Sequence, residues 1–343
     1  MRKLKIAQIG VRHEHATGKM DAVRINFQDV FEVVGIAAES PYYQEQFFNS
    51  RPFKGLKWMS IDELLSIPDL DGVLVETEMT DLIDTANKCL EKKLPIHIDK
   101  PGGSEELERY AELVNNYYKA NLPFQVGYMF RGHPYMNFLK EMVKKGVLGH
   151  VFEMDANMHR NDIGKTNFRN WLATYPGGAM FDYGSHILDL AFEIFGAPDK
   201  VHCIRQSIRD DKLNDNGVAI LEYPKATATL RSCMSAPRYT RQVTVRGTNG
   251  FIEINPIEQT YDPVHRYPIF DDKPLEVVME LENDTSEYKA GRYVIPFHTT
   301  GRYDDQLTEF AAMIRGEATN KYTAEYEITL QKLVLAASGY IKW

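Results

Sequence analysis

The chain has 343 residues, 43% of them hydrophobic, and a formal net charge of −8. That length exceeds one ordinary core and points to two domains. The negative balance argues against a general nucleic-acid binder, and no apolar run reaches the length of a membrane span. Cys89, Cys203 and Cys233 lack metal or redox spacing and read as intracellular thiols. Met1-Arg2-Lys3-Leu4 runs straight into a strand pattern, so a cytoplasmic protein without a signal peptide is expected.

Residues 1–127 alternate strand and helix patterns, which predicts a parallel sheet. Lys5–Val11 and Phe31–Ala38 are the first strands, around a helix from Thr17 to Phe27. Ser60-Ile61-Asp62-Glu63 is a capping box opening a short helix. Gly72–Val75 is the third strand, and the amphipathic stretch Asp81–Lys93 follows it, with lysines in its last turn. Pro95–Asp99 is the fourth strand and Phe124–Tyr128 the fifth. Between them Ser104 caps a helix with Glu105 and Glu106 in its first turn.

From residue 128 to 343 the pattern changes. A helix over Pro134–Lys145 ends at Gly146 and Gly149. The strands Val151–Met158, Val201–Ile208, Val218–Tyr223, Ala226–Cys233 and Val243–Arg246 then follow, and Thr248-Asn249-Gly250 turns into Phe251–Ile254. Such a run predicts a large, mostly antiparallel open sheet in an α+β domain. One long helix, Ala179–Phe195, is set among the strands. Pro256–Pro274 reads as an irregular loop, and Tyr303–Arg315 and Thr323–Ile341 as closing helices.

Two places carry chemistry. Lys100, before Pro101-Gly102-Gly103, ends the fourth strand, where open parallel sheets bind ligands; it is otherwise a surface lysine. Asp182 and His186 stand four apart on the predicted long helix and share a face with Asp189 and Glu193. That stripe is either a solvated face or a site, and Gly177-Gly178 permits close approach to the helix start. An amine together with an imidazole backed by a carboxylate is what oxidation of a hydroxyl to a carbonyl requires. His298, in Ile295–Thr300, reads as a loop histidine.

The order of Asp99-Lys100-Pro101, Arg131-x-x-Pro134, Gly146-x-x-Gly149, Trp171, Gly177-Gly178 and Asp182-x₃-His186-x₂-Asp189 resembles the glucose–fructose oxidoreductase/inositol dehydrogenase/MocA family over nearly the whole chain. The resemblance implies an N-terminal Rossmann domain, NAD or NADP as cofactor, and hydride transfer to or from a hydroxyl carbon of a sugar, cyclitol or related polyol. It implies that Lys100 holds the reacting oxygen, that His186 is the general base and that Asp182 supports it. It also implies a substrate site lined by Tyr128, Arg131, His159, Arg169, Trp171 and Tyr183, and a cofactor site at Gly10, Arg12, His13, Glu39, Thr77 and Lys100. Asp99 replaces the family's glutamate and keeps a carboxylate beside the lysine. Variants of the family chemistry, a lyase or hydrolase with retained NAD and a non-catalytic relative without nucleotide, stay open.

The chain departs from the family at its nucleotide loop, Ile9-Gly10-Val11-Arg12-His13-Glu14-His15. Arg12 and His15 stand where the second and third glycines belong. Either the loop is rebuilt, with Gly18 as the close-approach residue and Arg12 on phosphate, or the site is lost. Glu39 either accepts the ribose hydroxyls, which favours NAD over NADP, or opens the next loop as an exposed residue. His13-Glu14-His15 reads as a polar loop without metal; an ion there would call for His159 or His186 to complete its shell. A homodimer or homotetramer is expected through the large sheet, because helices on one face leave the other needing a partner.

Overall fold

The computed structural model describes residues 1–104, 106–258, 274–298 and 301–343. Glu105, most of the loop expected over Pro256–Pro274, and Thr299-Thr300 lie outside the described residues. The chain forms two compact units, Met1–Met129 with Gly301–Ile328, and Phe130–Thr300 with Thr329–Trp343. The first crossing falls two residues beyond the boundary read at 127/128, but the segment from 301 to 328 returns to the first unit.

The first unit starts with β1 (Leu4–Ile9), α1 (Ala16–Asn26), β2 (Phe31–Ala37), α2 (Pro41–Phe47) and α3 (Ile61–Leu64). It continues with β3 (Gly72–Val75), α4 (Leu82–Glu91), β4 (Ile96–Ile98), α5 (Leu107–Lys119) and β5 (Phe124–Val126). The strands form one parallel sheet of order β2-β1-β3-β4-β5. Ile6, Ile9, Val73, Val75, Ile96 and Ile98 are fully buried, as strands covered on both faces must be. The expected capping box is present: the Ser60 hydroxyl accepts from the Glu63 amide at 3.2 Å, and the Glu63 carboxylate accepts from the Ser60 amide at 2.8 Å. Strand order reverses direction at β1, so the loops leaving β1 and β3 flank the switch point where open α/β sheets take ligands.

The second unit contains α6 (Pro134–Lys144), β6 (Val151–Asn161), α7 (Thr166–Leu172), α8 (Gly178–Asp182) and α9 (Gly184–Phe195). Then come β7 (Lys200–Gln206), β8 (Asn216–Tyr223), β9 (Ala226–Cys233), β10 (Ser235–Gly247), β11 (Gly250–Ile254), β12 (Leu275–Leu281) and β13 (Gly291–Phe297). The sheet order is β13-β12-β11-β10-β6-β9-β8-β7; β6 and β9 pair in parallel and every other pair is antiparallel. Met154, Ala156 and Met158 of β6, and Ala228 and Leu230 of β9, are buried on the face that α8 and α9 cover. The chain then forms α10 (Asp304–Ile314) and α11 (Ala324–Ala337). α10 packs on α1 within the first unit, where Asn26 donates to Asp304 at 3.1 Å.

The single helix expected over Ala179–Phe195 is two, with Tyr183 ending α8 and leading into α9. Gly178 has φ +51°, and a Cβ there would lie 2.1 Å from the Asn214 carbonyl oxygen. The close approach anticipated at Gly177-Gly178 is therefore made by the chain's own 214 loop, whose carbonyl accepts from the Ala179 amide at 2.9 Å.

Candidate functional site

On the first unit, the candidates gather at the carboxyl ends of β1, β3 and β4. Gly10 has φ +98°, and a Cβ there would sit 2.3 Å from the Thr77 nitrogen. Glycine is required because the β1 loop crosses directly over the end of β3. Thr77 is buried, and its hydroxyl has no hydrogen-bond partner among the described residues. Glu39 turns inward: its carboxylate accepts from the Val11 amide at 3.1 Å and the Arg12 amide at 3.3 Å. Burial raises its pKa despite those hydrogen bonds. Arg12 is ion-paired with Glu78, and its guanidinium carbon lies 4.6 Å from the centre of the Tyr43 ring. Gly18 is not a bare platform, because a Cβ there would meet the Tyr303 ring at 3.1 Å.

Behind this loop the sheet brings the His13-Glu14-His15 and Asp99-Lys100 motifs into one buried polar cluster with Lys19 and Glu76, which no motif announces. Asp99 is its hub. It accepts from the Lys19 ammonium at 2.8 Å and from the Lys100 backbone amide at 2.7 Å, and it faces His15 Nδ1 at 3.0 Å. Lys19 also pairs with the buried Glu76. His13 Nε2 lies 3.1 Å from the Lys100 carbonyl oxygen and its Nδ1 3.4 Å from Asp99. Burial lowers the His13 pKa to about 3, which keeps that ring neutral. His15 and Lys19 are pushed the other way, up, because the adjacent carboxylates outweigh their burial. Asp99 is held well below the usual carboxylate range: the cationic groups around it outweigh the burial that raises it. The Lys100 side chain is buried, with its ammonium 3.9 Å from Glu14.

On the second unit, Asp182, His186 and Asp189 are all buried, at 0%, 2% and 1% exposure. The solvated-face reading of this stripe is thereby excluded. His186 packs against Phe130, ring centres 5.6 Å apart. The Ser185 hydroxyl donates to the Asp182 carbonyl at 2.7 Å and tightens the α8–α9 junction. The Arg160 guanidinium lies over Tyr183 at 4.5 Å.

Other residues expected to line a substrate site have structural partners. The Arg131 guanidinium holds Asp189 through Nε at 3.0 Å and Nη2 at 2.9 Å, both groups buried. Arg169 ties Asp211 at 2.5 Å and Asp215 at 2.8 Å, anchoring the 211–215 segment. Trp171 stacks among Phe168 and Tyr175, and Tyr128 is buried at the end of the first unit. His159 is a correction. It alternates with Met158 on β6 and so lies on the sheet face away from α8 and α9, where burial and Arg231 lower its pKa.

Residues 136–253 match the family model described as GFO/IDH/MocA C-terminal domain. That segment, about a third of the chain, is what is similar to the family. The match takes in the Gly146-x-x-Gly149, Trp171, Gly177-Gly178 and Asp182-x₃-His186-x₂-Asp189 part of the motif series. The rhizopine catabolism protein MocA of Rhizobium meliloti is 28% identical over 175 residues, covering 50% of this chain and 53% of that protein. The match therefore spans about half the length of that relative. A putative NADPH-dependent oxidoreductase from Desulfitobacterium hafniense superposes with a TM-score of 0.81 at 18% identity, covering 99% of this chain and 96% of that one. A 3-ketoreductase from Actinomadura kijaniata, solved with TDP-benzene and NADP, has a TM-score of 0.73 at 19% identity and covers 99% and 98%. At these identities the solved structures establish the shared fold.

Proposed function

We propose that the protein is a nicotinamide-dinucleotide-dependent oxidoreductase acting on a hydroxyl carbon of a sugar, cyclitol or similar polyol. The observation that carries it is the convergence, at the switch point of the parallel sheet, of Gly10, the orphaned Thr77 hydroxyl and buried Lys100. These residues fit a dinucleotide: Gly10 opens the close approach, Thr77 offers a donor, and Glu39, at the end of β2, would accept ribose hydroxyls in addition to the Val11 and Arg12 amides. The relatives with NADP or NADPH in their names support the same cofactor class.

Bound there, the dinucleotide supplies a hydride acceptor or donor. Lys100 contributes a desolvated ammonium that holds the reacting oxygen and its developing charge. His186 accepts the hydroxyl proton at an imidazole nitrogen, and Asp182, one turn before it, supports the imidazolium that results. Burial of Asp182, His186 and Phe130 excludes bulk water from that proton transfer.

The test is titration of NADH and NADPH by fluorescence, followed by turnover assays on a polyol panel. Failure of both coenzymes to bind at millimolar concentration overturns the reading in favour of a cofactor-free relative. Given a substrate, His186→Ala should lower turnover by roughly 10²–10⁴, the range for a positioned acid–base group. Unchanged turnover would remove His186 from the chemistry.

A further inference from the structure

The cluster behind the nucleotide loop has a second capacity. His13, His15 and Asp99 each offer one ligand atom, and these atoms lie within 4.8 Å of one another, all three residues buried. His13 and His15 come from the loop after β1 and Asp99 from the end of β4, 84 residues beyond His15. The sheet therefore brings a carboxylate beside the His13-Glu14-His15 motif as a candidate third ligand.

We propose that His13 Nδ1, His15 Nδ1 and Asp99 form a site for one divalent first-row transition ion of the zinc class. The two histidine–carboxylate distances suit it, and closing the His13–His15 pair onto an ion is a small adjustment within the 4.8 Å set. Ligands about 2.0–2.2 Å from a tetrahedral ion lie roughly 3.3 Å from each other. His15 Nδ1 is 3.0 Å and His13 Nδ1 3.4 Å from Asp99 oxygens, and the two imidazole centres are 5.0 Å apart.

The outer partners point the same way. His13 Nε2 faces the Lys100 carbonyl at 3.1 Å, and His15 Nε2 faces the Glu14 carboxylate at 3.3 Å. A proton on each Nε2, donated to those oxygens, leaves both Nδ1 lone pairs directed at the Asp99 carboxylate. Ligating histidines are oriented by this kind of outer hydrogen bond. Lone pairs facing a carboxylate repel unless a cation lies between them. His13 Nδ1 also receives the His15 amide at 3.3 Å, a long contact that an ion would replace.

One cation is already in the cluster, since the Lys19 ammonium bridges Asp99 and Glu76. The competing arrangement is thus a closed network in which His15 is protonated on both nitrogens and no ion binds. Two imidazoles and a carboxylate match zinc, with cobalt(II) as its spectroscopic substitute.

The experiment uses the full chain after dialysis against EDTA, without nucleotide, so its outcome is independent of the oxidoreductase reading. Calorimetric titration with Zn²⁺ should give one equivalent bound at micromolar dissociation constant or tighter. Co²⁺ should give the visible absorption of a four- or five-coordinate nitrogen–oxygen site. His13→Asn and His15→Asn should each abolish the stoichiometric phase, and Glu14→Gln should weaken it by roughly ten- to a hundred-fold, the usual effect of an outer partner. Circular dichroism checks that each variant is folded. If the histidine variants do not fold, the Co²⁺ spectrum of the parent and the Glu14→Gln shift decide. No equivalent of Zn²⁺ bound, or binding unchanged in the folded variants, would establish the closed network and overturn the proposal.

Discussion

Arg12 is the residue on which the departure from the glycine pattern turns. Its charge does not stand free over the loop; it neutralises Glu78, which is 6% exposed, and lies against Tyr43. Under the proposed function, loss of the Arg12 cation would leave the loop more negative beside the dinucleotide's phosphates. Arg12→Gly should therefore weaken NADH binding by roughly ten- to a hundred-fold, equivalent to about 1.5–3 kcal/mol for a lost charge-assisted contact. The double variant with Glu78→Gln should recover much of it, which fluorescence titration checks. Tighter binding in Arg12→Gly would mean that the side chain only obstructs. Glu39 supports a second prediction. Burial raises its pKa, so on acidification it loses its charge at higher pH than a free carboxylate does. The charged form repels a 2′-phosphate. The affinity for NADPH relative to NADH should thus rise as pH falls through the raised value, and Glu39→Gln should remove that component while leaving the phosphate's own titration. An identical pH profile in both proteins would exclude Glu39 from coenzyme choice. Gly10, Lys100, Asp182 and His186 are legible in the sequence because each sits at a recognisable strand end or helix spacing. Lys19, Glu76 and Glu78 are not, since their roles arise only when the ends of separate strands are brought together by the sheet.

At the level of elements, the strands of the first unit and the helices α1, α4 and α6 follow their hydrophobic periods to within about two residues, because continuous burial or a single apolar stripe determines them. The harder elements were those whose pattern is set by tertiary packing. β10 runs from Ser235 to Gly247, well beyond the apolar core Val243–Arg246, because its first half pairs with the end of β6 across a register shift. β12 and β13 are outer strands at one edge of the sheet, and α2 and α7 are only seven residues each. The Ala179–Phe195 stretch divides at Tyr183, yet its buried acidic positions stay together through partners outside the helix. Arg131 reaches Asp189 from the turn before α6, and Lys140 on α6 holds Glu193 at 3.0 Å. This clamp fixes α9. Arg131→Met leaves Asp189 buried without that partner and should cost about 3–5 kcal/mol. Adding Asp189→Leu removes the stranded charge and should return most of the stability. Urea denaturation of both variants is the measurement, and equal destabilisation by single and double changes would show that packing, not charge pairing, holds α9.

At the scale of the whole molecule, the large sheet presents one face to α8 and α9 and the other to neither. Register assigns the residues of that second face. Ile204 of β7 opposes Val218, and Ile220 opposes Thr229; Asn157 opposes Arg231, and Val278 opposes Val294. Ile204 and Val294 are each 51% exposed. On this face Ile204 stands among Lys200, His202 and Gln206 of β7, and the Val278–Val294 pair stands between Glu276 and the Glu280–Arg292 pair, while Arg231, Asn157 and Asp155 lie in its middle. An isologous dimer through this face would cover the exposed Ile204 and Val294 and set the charges of one copy against those of the other. Sheets packed in this way lie about 10 Å apart, a spacing that β-branched side chains fill. The proposal is a homodimer, or a tetramer built from such dimers, formed through this face. Light scattering at micromolar concentration should give a mass at least twice the 39.4 kDa of the chain. Val218→Glu would place a charge among Ile204, Arg231 and the opposing copy, and should shift the protein toward monomer without unfolding it, since Val218 is only half-buried within its own chain. A 39.4 kDa particle from the parent protein would contradict the assembly, and an unchanged oligomer in Val218→Glu would move the interface elsewhere.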